Sequence, residues 1–597
     1  MVKKRNDVAK IDLAGRWRYV MDGSLAGEKR GYFQKTFDRR AWRSIGVPST
    51  FAAIDPVLAT YDRAVWYART VRVPARWKGR RVVIRFEGAN YHTKVWVNGQ
   101  LAGYNDDAFL PFEFPVHGLL KFGAENLIVA GVDAVDRLGH LPGPRSTVQV
   151  GWRADGGILR DVGLIAGDFL HIDRVEVVAE PEAGGGRINL KALICNERPV
   201  AAESMLRAVV FDGKGKPLAS VTSPPLALEG GKTAEVALEG SVPGALPWSP
   251  NKPTLYAIVV QCLVDGREVD AVNLRAGFRR IETRGEQLLL NGRPIFLTGF
   301  NRHEDSPRTG QAVDRQTTRK DLVEMKRAGC NFIRLCHYPH DPGELDLCDE
   351  LGLVAMCEIP LYNWPGHAEG EGTYPKKVET AERWLRKMIQ RDRNHPSVIF
   401  WSVSNETHEE HEEVVEANNR LLRLAKSLDP ARPAVHVSMA VTQRHHFDLD
   451  DVICINEYPG LGRIMGGQDP ADDFAGATQQ FRKVFEMLHA AYPGKPILVT
   501  EFGCPSLTGQ LAGEWSEATA ARVIEAEFAG MDFPYVCGAT VWCWADHPWP
   551  IPLQWFWNLD TSPFGVLGRD RTKRLSFKMA AKLFREKQSQ MQRPSST

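Results

Sequence analysis

The sequence predicts a multi-domain protein in which two β-sandwiches precede a (β/α)8 barrel, and three observations carry that prediction. The chain has 597 residues, which at roughly 150 residues per domain makes three to four domains. Its first 280 or so residues are short β-type runs between turns. Beyond about residue 281, short apolar runs alternate with amphipathic helical stretches, eight runs in about 310 residues, which is the arithmetic of a (β/α)8 barrel.

Within residues 1–165 the runs VWYARTVRV (65–73), RRVVIRFEG (80–88), TKVWVNG (93–99) and NLIVAGVDA (126–134) lack helical periodicity and predict the first sandwich. Asn98-Gly99 is a hairpin-turn signal. Residues 166–280 continue with VEVVAE, GRINLKALIC, MLRAVVFD, TAEVALEG and LYAIVVQCLV, and about seven short strands in some 110 residues predict an immunoglobulin-like sandwich. Residues 281–597 hold the barrel runs IFLTGFNRHE (295–304), NFIRLCHYP (331–339), GLVAMCEIP (352–360), SVIFWSVSNE (397–406), AVHVSM (434–439), DVICINEYP (451–459), PILVTEFG (496–503) and GATVWCWAD (538–546). The segments between them, such as TTRKDLVEMKRAG and HEEVVEANNRLLRLAKSL, place apolar residues at helical spacing.

The composition, 43% hydrophobic and 25% charged, is that of a globular protein. A formal charge of +2 supplies no field to attract nucleic acid or an anionic membrane. The N-terminus lacks the apolar segment of a signal peptide, and no run of about 18 apolar residues can cross a bilayer, so a cytoplasmic protein without a membrane partner is expected. The ten cysteines form no CxxC pair, which predicts buried reduced thiols and no zinc site. Five of the 16 tryptophans (Trp542, Trp544, Trp549, Trp555, Trp557) crowd one short stretch.

In such a barrel the catalytic groups close the strands. Here the runs end in Asn301 to Asp305, His337 to His340, Glu358, Asn405-Glu406, Asn456 to Tyr458, Glu501 and Trp544 to Asp546. Two carboxylates across that rim, with aromatic and histidine side chains between them, suit hydrolysis of a glycosidic bond, which needs a proton on the leaving oxygen and a carboxylate facing the oxocarbenium centre. Glu406 follows the apolar SVIFWSVS, where desolvation keeps a carboxyl protonated as the acid. Glu501 is then the nucleophile and needs donors and cations that keep it ionised. His303 and His337 are placed to meet sugar hydroxyls.

RDRNHPSVIFWSVSNET (391–407) resembles the acid/base signature of glycoside hydrolase family 2, and PILVTEFG (496–503) resembles its nucleophile strand. GFNRHED (299–305), the stretch from Arg334 to Pro339, WSPNKPTLY (248–256) and GGILRDV (156–162) extend the likeness over nearly the whole chain. The resemblance implies a jelly-roll for the first sandwich, retention of configuration, Glu406 as acid/base, Glu501 as nucleophile, Asn405 as ligand of the sugar 2-hydroxyl and Tyr458 as hydrogen-bond partner of the nucleophile. It further implies Asp155 as a sugar-binding acid from the first domain, Trp544 at the sugar site, Trp549, Trp555 and Trp557 as a lid or aglycone wall, and possible homo-oligomers. No cofactor and no metal are expected. Glu358 matches a position that helps hold magnesium in longer family galactosidases, but a lone carboxylate is weak ground for a metal.

The length and RHED resemble the β-glucuronidase branch. Family glucuronidases read the uronate with an Asn-X-Lys before Arg-Asp-Arg; here Arg569-Asp570-Arg571 follows Ser562-Pro563-Phe564-Gly565. With amide and ammonium missing, a uronate would be buried unpaired. The expected activity is therefore a retaining exo-β-glycosidase acting on a terminal β-linked sugar of a glycoside or oligosaccharide, β-galactoside first. One alternative is a β-glucuronidase or β-galacturonidase in which Arg571, Lys573 or Arg574 replaces the missing clamp. Another is a non-catalytic carbohydrate-binding protein on the same scaffold.

Overall fold

In a computed structural model the described residues are 9–53, 61, 63–134, 151–364, 374–439, 446–467, 474–553 and 559–592. The first domain packs a four-stranded antiparallel sheet (Ala9–Asp12, Val162–Gly167, Arg81–Phe86, Phe112–Pro115) on a six-stranded one (Arg43–Val47, Gly15–Asp22, Ala64–Arg72, Glu125–Asp133, His92–Val97, Gln100–Asn105). Alternate residues point inward, so Trp17, Tyr67, Ile84, Val95, Ile128 and Leu164 share one core. Asn98 (φ 56°) and Gly99 (φ 87°) link two strands through a turn with both residues left-handed, as the Asn-Gly pair predicts.

The second domain pairs Leu170–Glu182, Gly185–Asn196 and Lys232–Pro243 in one sheet, and Pro217–Thr222, Ala202–Phe211, Tyr256–Val264 and Arg267–Ala276 in the other. Its loops anchor on the barrel: the Trp248 indole donates to the Asp349 carbonyl (3.0 Å), and the Asn394 side chain accepts from Val177 N (2.8 Å).

Each of the eight apolar runs overlaps one strand of a closed parallel barrel: β1 Leu297–Arg302, β2 Phe332–Leu335, β3 Val354–Glu358, β4 Val398–Asn405, β5 Ala434–Ser438, β6 Ile453–Asn456, β7 Ile497–Phe502 and β8 Val536–Val541, the last beginning two residues before its run. Their side chains are buried on both faces, which is why the runs are continuous rather than alternating. Helices return the chain outside the barrel with side-chain caps where the sequence supplies them: Asp314 accepts from Thr317 N (2.9 Å) and Ser516 from Thr519 N (3.1 Å). Gly299 lies where β1 meets β2, and a Cβ there would stand 2.0 Å from the Phe332 carbonyl oxygen. All ten cysteines are free thiols, nine of them buried.

Candidate active site

A parallel barrel points the ends of its strands at one rim, so polar residues that close apolar runs meet there. Arg334, near the end of β2 between Ile333 and Leu335, is fully buried and organises the centre. Its Nη1 donates to Glu501 Oε1 (2.6 Å) and Asn301 Oδ1 (3.0 Å), and its Nη2 to Asn405 Oδ1 (2.6 Å) and Glu358 Oε2 (2.8 Å). The other oxygen of Glu501 accepts from the Tyr458 hydroxyl (2.6 Å). Burial raises the Glu501 carboxyl, and the Arg334 charge and Tyr458 hydroxyl oppose that rise.

Glu406 has a different environment. Its side chain accepts from the neutral amide of Asn456 (2.7 Å), and burial together with the Glu501 charge pushes its carboxyl up to about 7. The pair is thus asymmetric: a cation and a phenol hold one carboxylate, while the other keeps its proton near neutrality. Glu406 adopts φ 50°, a left-handed conformation costing a non-glycine residue about 1–2 kcal/mol. Its N–H bonds the Val437 carbonyl on β5 (2.8 Å), which fixes the kink that turns the side chain off the end of β4.

Around the carboxyls lies an aromatic wall. His337 gives Nδ1 to Glu358 Oε1 (2.7 Å), has Nε2 3.9 Å from Glu501 Oε1, and stacks on Trp542 (5.2 Å, 26°). His303 meets Trp542 edge-on (5.5 Å), and Trp152 of the first domain packs against both histidines (5.6 and 5.4 Å). Phe564 joins the apolar cluster of Trp542 and Cys543, edge-on to Tyr458 (6.2 Å). Asn405 Nδ2 is buried with no hydrogen-bond partner among the described residues, a donor that suits a sugar hydroxyl.

The structure thus brings Glu406, Glu501, Asn405, Tyr458, His303 and His337 together and gives three other expected site residues, Trp544, Asp155 and Arg571, partners elsewhere. Trp544 turns into the barrel core against Phe300 (5.3 Å) and Phe577 (6.0 Å), and Trp542, two residues earlier, faces the cleft instead. Asp155 bonds Arg153 Nε (3.1 Å) and Gln311 N (3.1 Å), so it braces the loop after β1 rather than offering a carboxylate to sugar. Arg571 is spent on both oxygens of Asp321 (2.9 and 3.0 Å) and on the Asp305 carbonyl (2.8 Å). Lys573 pairs with Glu324 and Arg574 with Asp546, so none of the three is a substitute clamp for a uronate. Trp549 is buried in a hairpin strand, Pro548–Leu553; Trp555 and Trp557 lie outside the described residues. The oxygens of Glu358 are occupied by Arg334, His337 and Ser402 (2.7 Å), which makes it a brace and a poor ligand for a hard cation.

The sequence assigns no site role to Arg334, Trp542, Trp152 or Asn456, although Arg334, Trp542 and Asn456 lie in stretches it marks out. Arg334 carried a signal, since a charge inside an apolar strand must be paired. Trp152 carried none, because it reaches the cleft from another domain.

Two sandwiches in front of a barrel whose rim holds an asymmetric carboxyl pair define a glycoside hydrolase. Residues 10–167 match the sugar binding domain of glycosyl hydrolases family 2, residues 170–279 match glycosyl hydrolases family 2, and residues 281–529 match the family's TIM barrel domain. The chain belongs to glycoside hydrolase family 2. Among its relatives are a β-glucuronidase of Paenibacillus borealis, 27% identical over 97% of both chains, and a β-galactosidase of Thermoanaerobacter pseudethanolicus, 30% identical over 67% of this chain and 51% of that protein. A solved β-glucuronidase from an uncultured Clostridium sp. superposes with a TM-score of 0.86 at 25% identity, covering 98% of this chain and all of that one.

Proposed function

We propose that this glycosidase is a retaining exo-β-glycosidase in which Glu501 attacks the anomeric carbon and Glu406 protonates the leaving oxygen, then deprotonates the water that releases the sugar. The asymmetry of the two carboxyls carries the reading: the Arg334 cation and the Tyr458 hydroxyl favour the ionised form of Glu501, while burial beside that charge keeps Glu406 protonated to about 7. The unpartnered Asn405 Nδ2 supplies a polar contact to a pyranose, and the Trp542 and His337 rings supply an aromatic wall beside it.

The favoured glycone is neutral, with β-galactoside first. Ser562 to Gly565 offer neither the amide nor the ammonium of the family's uronate clamp, Phe564 packs in the apolar cluster of Trp542 and Cys543, and the cations Arg571, Lys573 and Arg574 are tied to acids. A uronide is the second reading, favoured by relatives named β-glucuronidase over the full chain length. A nitrophenyl panel of β-galactoside, β-glucuronide, β-galacturonide, β-fucoside and β-glucoside separates them. The expected result is highest kcat/KM on a neutral sugar, galactoside leading; preference for a uronide overturns the neutral assignment. Tight sugar binding with no turnover on any member would favour a binding protein instead.

A further inference from the structure

We propose that the cleft also takes a thiophilic divalent cation of the Zn2+ class on His303, Cys336 and His337, and that the bound ion closes the site to substrate. A ring nitrogen of each histidine and the Cys336 sulfur lie within 4.8 Å of one another, and all three residues are buried. Around a tetrahedral zinc ion, donor atoms stand about 3.5 Å apart and two imidazole centroids about 5 Å apart. The His303 and His337 rings are already 5.5 Å apart, so a small inward movement of the side chains closes the shell.

Two further observations point to a ligand. His303 Nε2 is buried with no hydrogen-bond partner among the described residues, on a side chain whose residue is only 8% exposed. His337 bonds Glu358 through Nδ1 (2.7 Å), the carboxylate–histidine arrangement that fixes a metal-binding imidazole with its other nitrogen outward. That Nε2 lies 3.9 Å from Glu501 Oε1, so a carboxylate oxygen or a water is at hand as fourth ligand. By contrast, in the buried cluster Glu304, His340 and Glu344, the carboxylates are engaged by Arg160 and Arg302. Two imidazoles and a thiol select borderline-soft ions over Mg2+ or Ca2+. Binding forms a metal–sulfur bond and releases the thiol proton to solvent.

The ligand set stands without the glycosidase reading, and only the effect on turnover rests on it. The probes are Zn2+ by calorimetry and Co2+ by absorption, on the full chain. The expected results are one Zn2+ per chain and a thiolate-to-cobalt charge-transfer band, with the band lost and Zn2+ affinity reduced about tenfold or more in Cys336→Ser. His303→Gln, judged on metal affinity alone, gives a second route should Cys336→Ser not fold. In turnover assays Zn2+ is expected to compete with glycoside, with EDTA restoring activity and Cys336→Ser far less sensitive. No Zn2+ binding at millimolar concentration, a cobalt band that survives Cys336→Ser, or unchanged affinity in both variants overturns the site, and inhibition not relieved by substrate overturns its closing effect. Metal bound as described by a chain that turns over no glycoside would sink the glycosidase reading and leave the site standing.

Discussion

Arg334 holds the most bonds at the centre. It spans Glu501 and Glu358, and removing it leaves two carboxylates buried without their cation. Arg334→Ala is expected to lower stability by about 3–5 kcal/mol, measured by denaturant unfolding. In any folded fraction, Glu501 loses the charge that opposes its protonation, so the acid limb of kcat/KM moves toward neutral pH. An unchanged acid limb would remove Arg334 from the control of Glu501. The alkaline limb belongs to Glu406: the acid must carry its proton, so kcat/KM is expected to fall as pH rises through about 7. A profile flat to pH well above that value in wild type would contradict the assignment. At this scale the sequence was most legible where a carboxyl closes an apolar strand, as with Glu406 and Glu501. It was least legible for Arg571, because nothing in Arg-Asp-Arg announces that Asp321, 250 residues away, is its partner.

The elements were legible because burial on both faces writes each barrel strand as a short apolar run, and side-chain direction is fixed while the strand lasts. Past the last hydrogen-bonded residue that rule ends. The segment after β8 runs on with Cys543 N bonded to the Phe564 carbonyl (3.1 Å) and Trp544 N to the Asn301 carbonyl (2.8 Å), which turns Trp542 to the cleft and Trp544 to the core. No periodicity in VWCWAD specifies that turn. Within the barrel, the close approach of β1 and β2 makes a sharp prediction. Gly299→Ala puts a methyl against backbone and is expected to cost about 3 kcal/mol or to prevent folding, read as a fall in Tm. A Tm equal to wild type would mean that β1 and β2 do not approach each other this closely at Gly299.

Across the whole molecule, the first domain completes the cleft. Arg160 donates to Glu304 Oε2 (2.9 Å) and the Pro339 carbonyl (2.8 Å), and its neighbouring loop delivers Trp152 between His303, His337 and Tyr362. Arg160→Ala is expected to destabilise the chain by about 3–5 kcal/mol and to raise KM more than it lowers kcat, because the carboxyl pair stays on the barrel while the wall around it loosens. Equal KM values would detach the first domain from substrate binding. Domain order was visible in the change of texture near residue 281, whereas this docking was not, since residues contributed across domains leave no local pattern. A double displacement at this rim makes one carboxylate covalently bound to sugar. An activated 2-deoxy-2-fluoro β-glycoside of the preferred sugar, followed by peptide mapping, is expected to place one fluorosugar on Glu501; a label on Glu406 or on any other residue would contradict it.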